Sequence, residues 1–244
     1  MAIQGLYKIF DHWHQEGTLW IFSDPHFGDS DLEIGIHNRP SAAEIVQHIN
    51  AKCGRKDTLI CLGDVGDVEY VKLLRAKQKI LICGNHDAGR TNYERQKWIK
   101  IFDKDRYQRD EALLEMQRLY PGCRYTISEG CQFHSPFEYW EVIADNMLFD
   151  EVYEGPLMIA EKLILSHEPV DVPWAYNIHG HDHQGHKRKN HMNVCVDVID
   201  YQPINMNQFM KSGAMAHVET IHRDTIDKAT ERKRKRGGKK IREK

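Results

Sequence analysis

Four short apolar runs of this sequence end on Asp, Asn or His, and this pattern constrains the fold more than any other feature. The runs are TLWIFSDPH (18–26), TLICLGD (58–64), ILICGNHD (80–87) and KLILSH (162–167). A short apolar run bounded by turn residues is typical of a strand that is buried on both faces. The pattern therefore predicts several buried strands, each followed directly by polar side chains.

Segments of helical periodicity alternate with these runs in the first half of the chain. The sequence SAAEIVQHINAKC (41–53) begins with Ser41 as a candidate N-cap and carries Glu44 at the capping-box position. Further helices are predicted in VEYVKLLRAK (68–77) and RDEALLEMQRLYPG (109–122). Strands and helices that alternate over 18–84 predict βαβ units, a parallel sheet and an α/β fold.

The second half of the chain has a different pattern. Residues 147–167 and 191–200 predict consecutive strands joined by tight turns, so we expect more antiparallel pairing there. Residues 100–146 are not assigned beyond their helix, and we interpret them as an insertion.

The polar ends of the apolar runs predict one site. In open α/β sheets the carboxyl ends of the strands lie at one edge, where ligands bind. Imidazole and carboxylate groups bind divalent first-row metals, and there are too many here for a single four-coordinate ion. Such a set of groups suits two ions about 3.5 to 4 Å apart, bridged by one carboxylate. The residues are Asp24, His26, Asp64, Asn85, His86, Asp87, His167, His181 and His183.

Glycines precede three of these residues directly, at positions 63, 84 and 180. We expect them to let the backbone turn sharply at the site. Other catalytic motifs do not fit the sequence. SHEPVD departs from the zinc-protease HExxH pattern at Asp171, and Pro169 would break the helix that this motif requires. The phosphate-binding glycine loops and the GxSxG elbow are absent.

Five short motifs, in this order, resemble the calcineurin-like metallophosphoesterase superfamily: DPH (24–26), GD (63–64), GNHD (84–87), SH (166–167) and GHDH (180–183). FSDPHFGDSDL, followed by NRP at 38–40, is similar to the small prokaryotic and phage-type phosphoesterases of this superfamily. The resemblance implies a four-layer αββα sandwich of two mixed sheets flanked by helices. We expect this domain to span residues 1–230, with 100–146 as an insertion.

The resemblance also implies a role for each motif residue. Asp24, His26 and His183 would hold one metal ion, Asn85, His167 and His181 the other, and Asp64 would bridge the two. His86 would contact the phosphate and protonate the leaving group, with Asp87 orienting its ring. A metal-bridging hydroxide would attack phosphorus. The ions would be manganese, iron, zinc or similar, with manganese favoured.

Arg39 is a further candidate, because a guanidinium group pairs bidentately with phosphate oxygens. The alternative for Arg39 is an ordinary surface arginine. The predicted function is hydrolysis of phosphomonoesters, small phosphodiesters or nucleotides. Two alternatives stay open, a nuclease of the same fold and a catalytically silent scaffold that binds metal.

Charge bears on the choice between these functions. The net charge is −2, but the last fourteen residues carry nine Lys or Arg and two Glu, which leaves the rest of the chain at −9. We expect residues 231–244 to form a basic disordered tail that could attract nucleic acid or simply keep the protein in solution. The acidic remainder disfavours a long nucleic-acid track.

The compartment is predicted from the cysteines and from the apolar runs. Six cysteines are scattered along the chain without a CxxC motif, which indicates reduced thiols. No apolar run is long enough to cross a membrane, and the first residues do not resemble a signal peptide. We therefore expect a cytoplasmic protein.

Overall fold

The computed structural model describes residues 6–14, 16–87, 93–131, 138–218, 225 and 228–235. A first sheet has five strands, which span Leu19–Phe22 (β1), Thr58–Cys61 (β2), Gln78–Ile82 (β3), Glu151–Tyr153 (β7) and Ile204–Asn205 (β12). Their order in the sheet is β12-β1-β2-β3-β7. Strands β1, β2, β3 and β7 are parallel, and β12 pairs antiparallel with β1. The predicted parallel sheet over 18–84 is confirmed.

A second sheet has four strands in the order β11-β10-β9-β8. They span Leu157–Ala160 (β8), Leu163–Leu165 (β9), Tyr176–His179 (β10) and His191–Asn193 (β11). Only β8 and β9 form an antiparallel pair, whereas β9, β10 and β11 are parallel. The antiparallel pair expected within 147–167 is thus found in β8 and β9, whereas residues 191–193 pair in parallel. The loops after β9 and β10 are long enough to return the chain to the start of the next strand.

The two sheets pack face to face around an apolar core. Ile21, Ile60 and Ile80 of the first sheet meet Leu165 and Ile178 of the second in one cluster. The opposite face of the first sheet supplies a second cluster, in which Phe22, Leu59 and Leu81 pack with the helix that carries Ile45 and Ile49. Both faces of β1, β2 and β3 are therefore buried, which explains why their sequences are continuously apolar rather than alternating. The expected α/β sandwich of mixed sheets with flanking helices is confirmed.

Two of the three predicted helices are present near their predicted positions, Ala42–Lys52 (α2) and Arg109–Leu119 (α3). Two short α-helices were not predicted, Ser30–Gly35 (α1) and Met206–Lys211 (α4). The predicted capping box of α2 is present, since the Ser41 N–H donates to Glu44 Oε2 at 2.9 Å. The helix predicted over 68–77 is reduced to one 3-10 turn, Val71–Leu73, and another 3-10 helix spans Lys8–His14.

Residues interpreted as an insertion form a separate small layer. Its strands are Lys97–Asp103 (β4), Arg124–Cys131 (β5) and Glu138–Asp145 (β6), antiparallel in the order β4-β6-β5. Helix α3 covers one face and buries Ala112 and Met116 against Phe102 and Val142. Arg95 ties this layer to the body through Asp145 at 2.6 Å and Asp150 at 2.8 Å. Because Asp150 also accepts from the Lys79 N–H, this attachment lies at the start of β3, away from its carboxyl end.

The basic end of the chain differs from its predicted state where it can be seen. Residues 228–235 are helical and exposed, so the first five residues of the predicted disordered tail have helical backbone. Residues 236–244 lie outside the described residues. No helix in the described ranges is long and apolar enough to span a membrane.

Lys79 predicts a pH dependence of folding stability. The side chain is 2% exposed, and its ammonium donates to Val71 O at 3.0 Å and to Met147 O. Burial lowers the pKa of Lys79 from 10.5 to about 8. Between these pH values the unfolded chain holds a proton that the folded chain has lost, so the free energy of unfolding should rise with pH.

This contribution should amount to at most about 3 kcal/mol, and it should disappear in Lys79→Met. Urea denaturation of both proteins from about pH 7.5 to pH 10.5 measures it as the difference between the two stability profiles. Parallel profiles would show that Lys79 is not the group responsible.

Candidate metal centre

The predicted site residues come together at one edge of the sandwich. Each lies in a loop that follows the carboxyl end of a strand: Asp24 and His26 after β1, Asp64 after β2, Asn85, His86 and Asp87 after β3, His167 after β9, and His181 and His183 after β10. Three of these strands belong to the first sheet and two to the second. Face-to-face packing brings the two sets of loops into contact.

Asp24, His26 and His183 form the first group of donors. One ligand atom from each lies within 4.8 Å of the others, and His183 Nε2 is 3.8 Å from Asp24 Oδ1. Asp24 is fully buried, and its Oδ2 accepts from the His181 N–H at 2.8 Å. Its Oδ1 is buried without a hydrogen-bond partner, and burial raises the pKa of this carboxyl. An orphaned carboxylate oxygen beside two imidazoles fits a bound cation.

Asp64, His167 and His181 form the second group, again within 4.8 Å of one another. His167 Nε2 lies 2.9 Å from Asn85 Oδ1 and 3.2 Å from His181 Nδ1. The opposite nitrogen, His167 Nδ1, is 2.8 Å from Leu62 O and must donate to this carbonyl. The Nε2 atom therefore points toward the Asn85 oxygen and the His181 ring, where one metal ion could bind all three side chains.

The titration of His167 reflects the same negative surroundings. Burial alone would lower the pKa of this imidazole, but the carboxylates of Asp64 and Asp24 outweigh it and raise the pKa to about 9. Without a metal ion, a proton on His167 supplies the positive charge that the site requires.

Asp64 lies between the two groups. Its Oδ2 is 3.4 Å from His26 Nε2 and also 3.4 Å from His167 Nε2. Burial would raise the pKa of Asp64, but hydrogen bonding to His167 and His26 lowers it well below its usual range. Asp64 is thus an ionised carboxylate in reach of both donor groups. Together the donors are four imidazoles, two carboxylates and one amide oxygen, a set that fits two divalent first-row ions.

His86 lies at the opening of the site. Its ring is exposed, with its centroid 5.4 Å from that of His26. Its backbone N–H donates to Asp64 Oδ1 at 2.9 Å. The imidazole is therefore free to meet a ligand in front of the donor groups.

Asp87 has a different role from the expected orientation of the His86 ring. The side chain is buried, and its Oδ2 accepts from the N–H groups of Asp64 and Gly84, both at 2.8 Å. Its Oδ1 accepts from the Val65 N–H at 3.1 Å. Asp87 thus joins the loops after β2 and β3 through their backbones. Because its oxygens accept from three backbone N–H groups, the Asp87 carboxylate stabilises this turn.

Arg39 does not lie where a substrate could reach it. Its side chain is 1% exposed, and its guanidinium donates to Asp197 and, at 2.8 Å, to Pro25 O. The predicted phosphate contact is therefore wrong, because a buried guanidinium would have to leave these partners to meet a ligand.

Asp197 was missed by the sequence analysis. Its Oδ2 is 2.6 Å from His183 Nδ1, on the side of the ring that faces away from Asp24. A signal was available, because this carboxylate interrupts the otherwise apolar alternation of NVCVDVID (193–200).

The glycines act through close approach as well as backbone freedom. Gly63 has φ of +96°, as a sharp turn requires. Gly84 and Gly180 are needed for space, because a Cβ at these positions would lie 2.3 Å from Asp64 Oδ1 and 2.1 Å from Asp24 Oδ2, respectively. Four proposed ligands also have positive φ, which is uncommon outside glycine: Asp24, His26, Asp64 and His181. Strain of this kind gathers at functional sites.

Comparison with known proteins agrees with this geometry. The model of the calcineurin-like phosphoesterase family matches residues 17–199. Among solved structures, a protein of unknown function from Aquifex aeolicus, AQ665, is 19% identical, with 80% of this chain and 98% of that chain covered and a TM-score of 0.45. No curated protein matches the chain at a significant level.

Asp87→Ala should strongly destabilise the metal-free protein. The substitution leaves three buried N–H groups without an acceptor, for which we expect a loss of about 3 to 5 kcal/mol in the free energy of unfolding. Asp67→Ala is the matched control, because the exposed Asp67 carboxylate accepts from a single N–H, that of Glu69, at 2.9 Å. Urea denaturation compares the two variants, and equal losses would contradict the role of Asp87.

Gly180→Ala should displace Asp24 and weaken metal binding. The added methyl group would overlap Asp24 Oδ2 and Ser23 Oγ, which is 2.0 Å from the Cβ position. Gly155→Ala is the control, because nothing lies within 4 Å of a Cβ there. Equilibrium dialysis against Zn²⁺ should give fewer ions per chain for Gly180→Ala than for Gly155→Ala. Equal metal content would show that the loop accommodates the methyl group without moving Asp24.

Proposed function

The chain belongs to the calcineurin-like phosphoesterase family, and from this premise we propose that it is an enzyme that hydrolyses phosphoric esters with two divalent metal ions. The observation that carries the proposal is the position of Asp64, whose Oδ2 lies 3.4 Å from one imidazole of each donor group. A single carboxylate shared by two sets of ligands is the arrangement that a pair of ions requires. Manganese is the ion we favour, in a site that also suits iron or zinc.

We propose that the residues divide between the ions as the family resemblance implies. Asp24, His26 and His183 would hold the first ion, Asn85, His167 and His181 the second, and Asp64 both. Two bound divalent ions would supply Lewis acidity, which lowers the pKa of water and draws the phosphoryl oxygens into place. Asn85 contributes an oxygen without a negative charge, which avoids repulsion of an anionic substrate.

His86 is the residue we propose as proton donor. Its exposed imidazole lies with its ring centroid 5.4 Å from that of His26 and belongs to neither group of candidate ligands. Contact of the ring with a phosphoryl oxygen would place its N–H beside the leaving oxygen. Transfer of that proton neutralises the charge that develops as the ester bond breaks.

The shape of the site favours small substrates. Next to His167 and Asn85 lies a pocket of about 250 Å³, lined also by Cys83, Glu154 and Glu168. This volume is below the roughly 300 to 1,000 Å³ of most small-molecule sites, so a large substrate would not fit inside it. We therefore propose phosphomonoesters, small phosphodiesters and nucleotides as substrates, rather than long nucleic acids.

We also propose the organisation and location of the chain that the sequence suggested. Residues 1–230 would form the catalytic domain with 100–146 as an insertion, and the basic residues 231–244 would lie outside it. The six cysteines, all within the described residues, are free, which agrees with a reducing compartment such as the cytoplasm.

Two substitutions test the proposal directly. His86→Ala should lower kcat by about 10²- to 10⁴-fold while both ions stay bound. Asp64→Asn should abolish turnover, because it removes the shared charge. The assay uses metal-stripped protein with Mn²⁺ restored and p-nitrophenyl phosphate and bis(p-nitrophenyl) phosphate as substrates. His48→Ala, at an exposed imidazole on α2, is the control. Full activity in both site variants would refute the proposal.

Nucleic-acid binding, measured beside the same hydrolysis assay, separates the alternative functions. A nuclease should bind DNA or RNA in a manner that weakens steeply with salt and with removal of residues 231–244. A small-molecule phosphoesterase should keep its kcat/KM after both changes. A silent scaffold should bind metal without turnover of either ester and should be indifferent to His86→Ala.

A further inference from the structure

Asp197 lies behind His183, buried beneath the first donor group. Its side chain is 4% exposed, and its Oδ2 is 2.6 Å from His183 Nδ1. A carboxylate at this distance can only accept, so Nδ1 must carry the proton. The remaining nitrogen, Nε2, is the one that lies 3.8 Å from Asp24 Oδ1, on the side of the proposed ion. The hydrogen bond to Asp197 therefore leaves the lone pair of His183 on the nitrogen that faces the site.

Arg39 connects this carboxylate to the other residues of the same donor group. One guanidinium nitrogen donates to Asp197 Oδ2. The second donates to Pro25 O at 2.8 Å and to Asp24 O at 3.3 Å, in the loop that carries Asp24 and His26. Tyr201 completes the arrangement by donating from its hydroxyl to Asp197 Oδ1 at 3.0 Å. One buried ion pair thus fixes the Asp24 loop and the His183 ring relative to each other.

The same carboxylate, with His183 and Cys195, also has the spacing of a small metal site. Asp197 Oδ2 already accepts from the Arg39 guanidinium, and His183 Nδ1 faces the same oxygen, so these atoms have partners within the protein. The group is therefore a hydrogen-bonded support rather than a third metal centre.

We propose that Asp197 is a positioning residue that, with Arg39, fixes the tautomer of His183 and makes the first metal site the tighter of the two. This inference rests on the proposed metal centre and adds an asymmetry to it. The corresponding imidazole of the second site, His167, donates from Nδ1 to a neutral carbonyl, Leu62 O, at 2.8 Å. A carboxylate partner makes an imidazole a stronger metal ligand than a carbonyl partner does.

Asp197→Asn tests the inference with the shape of the side chain preserved. The amide oxygen can still accept from Arg39 and from His183 Nδ1, but it carries no negative charge, so the imidazole becomes a weaker metal ligand. Titration with Zn²⁺ should show one site weakened about 10- to 100-fold and the other unchanged. Asp171→Asn is the matched control, because Asp171 Oδ1 is 2.9 Å from His191 Nε2 and His191 lies outside both donor groups. Unchanged Zn²⁺ affinity at both sites in Asp197→Asn would overturn the inference.

The wild-type protein provides a second test that does not depend on the variant being folded. Long-range ¹⁵N–¹H spectra of the Zn²⁺-loaded chain distinguish the two imidazole nitrogens. His183 should carry its proton on Nδ1 and bind zinc through Nε2, and binding through Nδ1 would overturn the inference. Both readouts concern metal binding, so an absence of phosphoesterase activity would refute the proposed function while leaving this result intact.

Discussion

The face-to-face packing of the two sheets decides where every candidate ligand lies. Strands β1, β2 and β3 supply four of the seven donors, and β9 and β10 supply the other three, so neither sheet could form the centre alone. The isoleucines and leucines between the sheets set the separation of the two sets of loops. A change in that packing would move His167, His181 and His183 relative to the donors of the first sheet. The hydrophobic core is therefore also the framework of the site.

The close approach of these loops strains their backbone, and buried hydrogen bonds stabilise the strained conformation. Four of the candidate ligands have positive φ, and Gly84 and Gly180 leave room for the close approach of Asp64 and of Ser23 and Asp24, respectively. Asp87 holds the loops after β2 and β3 through three backbone N–H groups. Arg39 and Asp197 do the same between the loop after β1 and the loop after β10. Neither pair of interactions involves a ligand atom, yet each fixes the geometry of several.

The small antiparallel layer of residues 97–145 is built on a different principle. It has its own apolar cluster under α3, and the contacts of Arg95 attach it at the start of β3. The ligands follow the opposite ends of the strands. The ion pairs that anchor this layer therefore lie away from the candidate ligands.

The sequence by itself determined the parallel strands, the capped helix α2 and the set of residues that could bind metal. These features are local, because apolar runs, capping boxes and short ordered motifs depend on neighbouring residues. Sequence reasoning failed where a long-range partner decides the outcome. It offered Arg39 as a candidate phosphate contact and Asp87 as the residue that orients the His86 ring. It also expected more antiparallel pairing in residues 191–200, and it missed Asp197. Arg39 and Asp197 are far apart in the chain, and only the packing of the two sheets makes them a buried ion pair. Their roles follow from the tertiary structure alone, because a buried charge is unfavourable unless it pairs with an opposite charge that the fold places next to it.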